Sequence, residues 1–317
     1  MLTFRTFRNS DPPIVAALWR SRAEQPGLLQ PVSVDLLEQL VFAKLYFDYA
    51  GLVVAENDGR PVGFAHAGFG PSSDVNWIDA ESGVTCIVIT RAEPSEEEVA
   101  AGLLEQCEKY LRARGVKTLY GGGLAPLNPF YLGLYGGSEL PGVLDSDVVA
   151  RRAFATSGYE QAERTVLMGR ELTGFEPRVD RRQMQARRET QLRVTPDAPT
   201  RSWWEACILG EFDLMRFELL PRAGGPTLAT ALFRSMEPYG ATCATQSVGL
   251  ISLSVDPGYR RRGLASFLLG EAFRQLMRQG VQRVEVQTRE SETSAIATFR
   301  RLGFEDAGVG GVWRKRA

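Results

Sequence analysis

Val255-Asp256-Pro257-Gly258-Tyr259-Arg260-Arg261-Arg262-Gly263-Leu264-Ala265 joins two segments of different period. Before it, Val248, Leu250, Ile251, Leu253 and Val255 form a strand-like apolar run. After it, Leu264, Phe267, Leu268, Ala272, Leu276 and Met277 recur at helical spacing. The stretch is therefore a basic, glycine-bearing turn that leads a strand into a helix. The first backbone N–H groups of a helix lack internal partners, and its dipole favours negative charge there. Gly263 removes a side chain where a ligand would approach the backbone. Arg260, Arg261 and Arg262 beside it favour a di- or triphosphate over a small neutral ligand.

Downstream, Ala295-Ile296-Ala297-Thr298-Phe299-Arg300-Arg301-Leu302-Gly303-Phe304 reads as a short helix ending in Gly-Phe before a strand. The two stretches, in this order, resemble the paired signatures of the GNAT N-acetyltransferase superfamily. The first resembles that family's acyl-CoA pyrophosphate loop, Arg/Gln-x-x-Gly-x-Gly/Ala, with Arg260, Gly263 and Ala265 at the defining positions and a matching Val-x-Pro lead-in. The resemblance implies acetyl-CoA as acyl donor and an amine as acceptor. It also implies that Leu253, Ser254 and Val255 pair with the pantetheine arm like an added strand. Arg260, Arg261, Arg262, Gly263, Leu264, Ala265 and Ser266 then hold the pyrophosphate, and Phe299 lies near the CoA sulfur.

The chain repeats itself. Residues 103–116 align without gaps on 268–281, bringing Gly115 onto Gly280; both segments are amphipathic helices closed by glycine. A second match pairs 153–160 with 298–305 and brings Gly158 onto Gly303. The two alignments are out of step, which implies extra chain in the first copy, in the Gly/Pro-rich stretch 121–142. A repeat this long means tandem homologous domains rather than a solenoid. The expected fold class is α/β (α+β mixed sheet): two tandem GNAT folds, each a twisted mixed sheet with helices on both faces. The expected boundaries are 1–173, a charged connector over 174–188 that includes Arg178, Asp180, Arg181, Arg182, Arg187 and Arg188, and 189–317. This two-copy layout is similar to that of the mycothiol synthases. The similarity covers architecture and does not extend to the acceptor.

Within the first copy, 2–7 reads as a strand, 14–23 and 34–47 as helices, and 51–56 and 61–69 as strands around the hairpin turn Asn57-Asp58-Gly59. Residues 83–90 form the strand before the aligned loop. In the second copy 189–194, 213–219 and 227–236 read as strands. The loop itself is lost from the first copy: Ser95-Glu96-Glu97-Glu98-Val99-Ala100 stands where Arg260 to Ala265 stands in the second. Glutamates satisfy a helix start internally and repel a pyrophosphate. The first copy is expected not to bind CoA in this place, and to be structural or to wall the substrate site.

The bulk composition is that of an ordinary globular protein, 44% hydrophobic and 24% charged, with a net charge of −1. That balance gives no whole-chain attraction to nucleic acid or membrane. Cys86, Cys107, Cys207 and Cys243 are scattered and read as free thiols of a reducing compartment. No signal-peptide pattern or membrane-length apolar run is present, so a cytoplasmic location is expected. His66 is the only histidine, which excludes a His-based metal site or triad.

Acyl transfer from a thioester to an amine needs removal of the amine proton, stabilisation of the carbonyl oxygen and a proton for the thiolate. The family's frequent base is a glutamate about six residues before Val255, where this chain has Gly249. Its frequent acid is a tyrosine where this chain has Phe299. The first copy has Val84 and Phe154 at these positions, and the family's helix-opening Asn falls at Glu292 or Thr293. No catalytic side chain is assigned. Glu218, Glu237 and Glu285, near the expected cleft, read as solvated or salt-bridged carboxylates. Tyr239 reads as packing or cleft-facing, and Cys243 has no adjacent base to make it a nucleophile. His66 reads as a satisfied sheet residue, and Trp203 and Trp204 as anchors of a helix, one of which could line an acceptor pocket. The leading expectation is N-acetyl transfer by the C-terminal domain to a small-molecule or peptide amine. The rival expectations are a non-catalytic acyl-CoA-binding or regulatory protein, and a peptidyl or protein N-acetyltransferase with an acidic groove.

Overall fold

A computed structural model describes residues 1–93, 95–177, 180–236 and 245–317. Arg178, Glu237, Tyr239 and Cys243 lie outside the described residues. The first repeat runs β1 (Leu2–Thr6), α1 (Pro12–Arg20), α2 (Val34–Leu37), β2 (Leu52–Asn57), β3 (Arg60–Pro71), β4 (Ile78–Thr90), α3 (Glu96–Ala113), β5 (Thr118–Gly121), β6 (Val143–Leu144), α4 (Val148–Thr156) and β7 (Glu160–Glu171). The second runs α5 (Arg181–Glu189), β8 (Thr190–Thr195), α6 (Trp203–Leu209), β9 (Leu214–Pro221), β10 (Ala229–Ser235), β11 (Ser247–Val255), α7 (Leu264–Arg278), β12 (Arg283–Arg289), α8 (Thr293–Arg301) and β13 (Glu305–Arg316).

Local chemistry sets many of these boundaries. The β2–β3 hairpin turns at Asp58 and Gly59, which both take positive φ, 48° and 78°. Ser33, Asp147, Asp180 and Ser202 cap their helices by accepting a backbone N–H with the side chain. The helix expected over 34–47 is cut short. α2 ends at Leu37 and passes into a π-helical turn, Glu38–Phe42. Phe42 and Phe47 then gather on Phe7, with ring centroids 5.1 and 5.4 Å away, so tertiary packing overrides helix propensity here.

Among the described residues thirteen strands form one sheet in the order β1-β2-β3-β4-β5-β13-β7-β12-β11-β10-β9-β8, with β6 pairing β13 beside it. The β4–β5 and β11–β12 pairs are parallel and the others antiparallel, which makes the sheet mixed. At its centre the closing strands change places. β7, which ends the first repeat, pairs with β12 from Arg283↔Glu171 to Arg289↔Thr165. β13, which ends the second, pairs with β5 from Trp313↔Gly121 to Arg316↔Thr118.

Alternating strand residues serve opposite faces. In the first repeat Val53, Ala55 and Ala65 pack under Leu103, Leu104 and Leu111 of α3. Leu52, Val54 and Phe64 face α1 through Val15 and Trp19. This second core continues into Trp204, Ile208 and Leu209 of α6, so the two repeats share it. In the second repeat Phe267, Leu268 and Phe273 of α7 cover Phe217, Phe233, Val284 and Val286.

The extra chain of the first repeat threads between the two copies and is pinned from the second. Arg234 on β10 is 1% exposed. Its guanidinium donates to the carbonyls of Gly137 (2.7 Å), Ser138 (2.8 Å) and Ser235 (2.9 Å). Gln287 of β12 donates to the Leu140 carbonyl at 2.7 Å. Within the first repeat, Thr165 donates to the Pro141 carbonyl at 2.7 Å.

Candidate functional site

β11 and β12 run together only from Ser247↔Arg283 to Leu250↔Val286. Beyond that, Gln287, Thr288 and Arg289 pair with β7 alone, and Ile251 to Val255 have no register partner on β12. The two parallel strands therefore splay. On its other side β11 carries a bulge: pairing with β10 passes from Leu232↔Ser252 to Phe233↔Leu250 and skips Ile251. Leu253, Ser254 and Val255 pair with Ala231, Thr230 and Ala229, leaving their β12-side edge for an added strand. The first repeat has the same geometry. Its β4–β5 pairing ends at Thr85↔Gly121, and Cys86 is skipped opposite β3.

The basic turn closes this opening at one end. Asp256 accepts from the Gly258 N–H at 2.9 Å and fixes a single 3-10 turn, Pro257–Tyr259. Arg261 and Gly263 take φ of 61° and 81°, so the backbone curls before α7 begins. Gly263 is the residue before Leu264, the first of the helix. Left-handed φ alternating with ordinary φ makes a concavity suited to anions. Arg260, Arg261 and Arg262 are exposed around it, and among the described residues none pairs with a carboxylate. Arg260 reaches back to the Val255 carbonyl at 3.3 Å, and Arg262 lies over the Tyr259 ring at 5.0 Å. Leu264 is buried, while Ala265 and Ser266 are half-buried. The arrangement suits an anion, with fixed N–H groups at a helix start and cations beside them that have no carboxylate partner among the described residues.

A cavity of about 340 Å³ opens beside Gly263 and Ser266, and its charged walls are Arg170, Arg182 and Arg301 together with Glu176 and Asp180. Arg170 Nε is buried without a hydrogen-bond partner among the described residues, while its guanidinium lies 4.7 Å from the Phe175 ring. Burial pulls the Arg170 pKa below its ordinary value. Arg170 as a whole is half-buried, and its Nε is a donor left over at the wall of this cavity. A Cβ built on Gly263 would lie 3.6 Å from the Cβ of Arg182, so the connector helix α5 stands against the turn. Sequence reasoning treated 174–188 as a connector and missed Arg170, Arg182 and Arg301. Their only sequence signal was an excess of arginine.

The aligned turn of the first repeat is neutralised from within. Glu96 pairs with Arg22 at 3.1 Å, and Glu97 pairs with Arg152. Ser95 before α3 has φ −93°, so the left-handed turn is absent as well.

The other candidates fall into place around this frame. Glu218 pairs with Arg193 at 2.8 Å and Glu285 with Arg283 at 3.1 Å. His66 is fully buried, 2.9 Å from the Tyr131 hydroxyl and stacked on Phe130, and desolvation pulls its pKa down to about 3. Cys86, Cys107 and Cys207 are free thiols, and burial pushes Cys107 up to about 12. Phe299 is 3% exposed and packs on Phe304 at 5.5 Å. Trp204 donates to the Pro126 carbonyl at 2.9 Å and lines a second cavity, of about 570 Å³, between the repeats. That cavity touches β11 at Ile251 and Ser252, where the strand bulges and splays. Among the described residues no cluster of His, Cys, Asp and Glu could hold a metal, and no helix is long and apolar enough to cross a membrane.

Residues 200–304, which contain the splay, the bulge and the glycine turn, match the acetyltransferase (GNAT) family. That match covers the second repeat alone, from α6 to the end of α8. Sixty residues are 37% identical to the ribosomal protein bS18 alanine N-acetyltransferase of Escherichia coli (strain K12), 19% of this chain and 40% of that enzyme. The chain thus spans about two fifths of the curated relatives it matches. Over its whole length it is similar to a tandem GNAT protein from the clavulanic acid biosynthesis pathway, with a TM-score of 0.68 at 14% identity, covering 100% of this chain and 98% of that one. A GCN5-related N-acetyltransferase from Sphaerobacter thermophilus gives 0.62 at 17% identity, covering 99% and 95%. These two likenesses concern the fold.

Proposed function

We propose that the chain transfers acetyl from acetyl-CoA to an amine, with the donor held by the second repeat. The observation that carries this reading is the coincidence, in that repeat, of splayed parallel strands with an intact left-handed glycine turn and unpaired cations. The first repeat keeps the splay but fills its helix start with glutamates already paired to Arg22 and Arg152. Titration calorimetry is therefore expected to find one CoA per chain. Two equivalent sites would sink the reading. The enzymatic part is tested by thiol release from acetyl-CoA in the presence of amines.

In this reading the Gly263 turn and Arg260 to Arg262 bind the pyrophosphate, and Arg170, Arg182 and Arg301 on its far side outnumber the carboxylates Glu176 and Asp180. The edge of Leu253 to Val255 aligns the pantetheine arm. The thioester carbonyl then lies at the Ile251 bulge, beside the cavity between the repeats. Phe299 offers no proton to the departing thiolate, so water supplies it. With a thiol reference pKa of about 8.5, an acid is helpful but not obligatory at neutral pH. Phe299→Tyr is expected to leave CoA affinity nearly unchanged and the rate similar or raised, by at most about 10²–10⁴. A large loss of turnover in a folded variant that still binds CoA would contradict this account of Phe299. The occupation of the family's usual base and acid positions by Gly249 and Phe299 favours one rival, a CoA-binding protein without turnover. In that case Phe299→Tyr creates none.

A further inference from the structure

The usual place for a base on β11 is empty for a specific reason. A Cβ built on Gly249 would stand 2.8 Å from the Cβ of Ser138. The inserted chain of the first repeat occupies the volume that a strand glutamate would need. Arg234 and Gln287 clamp that insert on either side of Glu139, at the carbonyls of Gly137, Ser138 and Leu140. The Glu139 side chain is half-buried and lines the cavity between the repeats, together with Ile251 and Ser252. Gly249 itself lies two residues before Ile251. The insert thus brings a carboxylate of the first repeat to the wall of the cavity that β11 also lines.

Resting on the acetyl-transfer reading above, we propose that the cavity between the repeats is the acceptor site for a small primary amine with an apolar body, and that Glu139 takes the amine proton. Leu132, Trp204, Ile208, Leu209 and Leu232 supply apolar wall, and about 570 Å³ accommodates an arylalkylamine. The charged groups of the cavity are few. Arg201 and Glu205 stand at α6, where the Arg201 N–H donates to Glu205 at 2.7 Å. Arg234 and Arg289 act on Glu139 from β10 and β12. Desolvation pushes Glu139 up to about 7 against the pull of both arginines. A carboxylate of that basicity is poised for general-base work at neutral pH.

The protons balance as follows. The bound ammonium gives one proton to ionised Glu139. Its nitrogen then forms a bond to the thioester carbonyl carbon, and the C–S bond breaks. The amide nitrogen loses its second proton to the departing thiolate through water, and Glu139 returns the first to solvent.

The test uses the full chain with acetyl-CoA and three probes: phenethylamine, spermidine and a peptide with a free N-terminal alanine. Phenethylamine is expected to give the highest kcat/KM. Glu139→Gln should lower kcat by on the order of a hundredfold or more while leaving the calorimetric CoA affinity unchanged. In the wild type kcat should fall with unit slope as pH drops below about 7, because the base is then protonated, and this limb should vanish in Glu139→Gln. Glu139→Asp should restore part of the rate. Turnover of Glu139→Gln within about threefold of wild type, or persistence of the acid limb, overturns Glu139 as the base. A preference for spermidine or the peptide, or acetyl-CoA binding with no acetylation of any probe, overturns the acceptor assignment. Failure of the wild type to bind acetyl-CoA overturns instead the acetyl-transfer reading beneath it.

Discussion

Gly263→Glu is expected to weaken CoA binding by on the order of a hundredfold or more while leaving the chain folded. The residue sits at φ 81° beside the start of α7, with Arg182 as its neighbour. A glutamate there blocks approach of the phosphates to the backbone and places a carboxylate among the cations. Charge-assisted hydrogen bonds contribute roughly 1.5–3 kcal/mol each, and losing two of them already reaches a hundredfold. Gly263→Ala separates the two causes. Its Cβ makes only an ordinary contact, so the left-handed backbone is the main penalty, about 1–2 kcal/mol. Calorimetry on both variants, with circular dichroism to verify folding, decides the matter. An unchanged affinity in folded Gly263→Glu means that CoA, if bound, lies elsewhere.

Arg234→Met is expected to destabilise the chain by roughly 3 kcal/mol or more. Burial pulls the arginine pKa down to about 10, so it remains charged at neutral pH and its desolvation costs stability. Replacing a buried ion by an apolar side chain is often neutral when its partner goes too. Here the partners are the backbone carbonyls of Gly137, Ser138 and Ser235, which stay where they are and lose their donor. The loss of those bonds therefore outweighs the desolvation gain. Loosening residues 137–138 also displaces Glu139, so turnover should fall more than CoA affinity does. Thermal melting checks the first effect. A melting temperature within about 2 °C of wild type means the clamp matters little, since 1 kcal/mol shifts even a large domain by about that much.

The parts legible in the sequence are those set by neighbours in the chain. The change of period around Arg260 to Ala265 appears in the structure as β11, the turn and α7. Asn57-Asp58-Gly59 is a hairpin, and the doubled helices are α3 and α7. The sequence also marked 121–142 as extra chain. It was silent on what that chain touches, because the contact of Ser138 with Gly249 joins residues far apart along the chain. Arg170 and Arg182 stayed hidden for the same reason, since only folding carries them to the Gly263 turn. The exchange of β7 and β13 was equally unreadable. A strand's alternation specifies which face is buried and says nothing of which neighbour it will meet.

That exchange makes the chain a pseudo-dimer written on one polypeptide. Without β7, β12 would become a bare edge, and without β13, β5 would. Neither copy closes its own sheet, so the one with the acidic helix start is required by the other for its fold. Its contribution to the second copy runs through Thr165 to Glu171, which pair along β12. Duplication here yields mutual dependence rather than a spare.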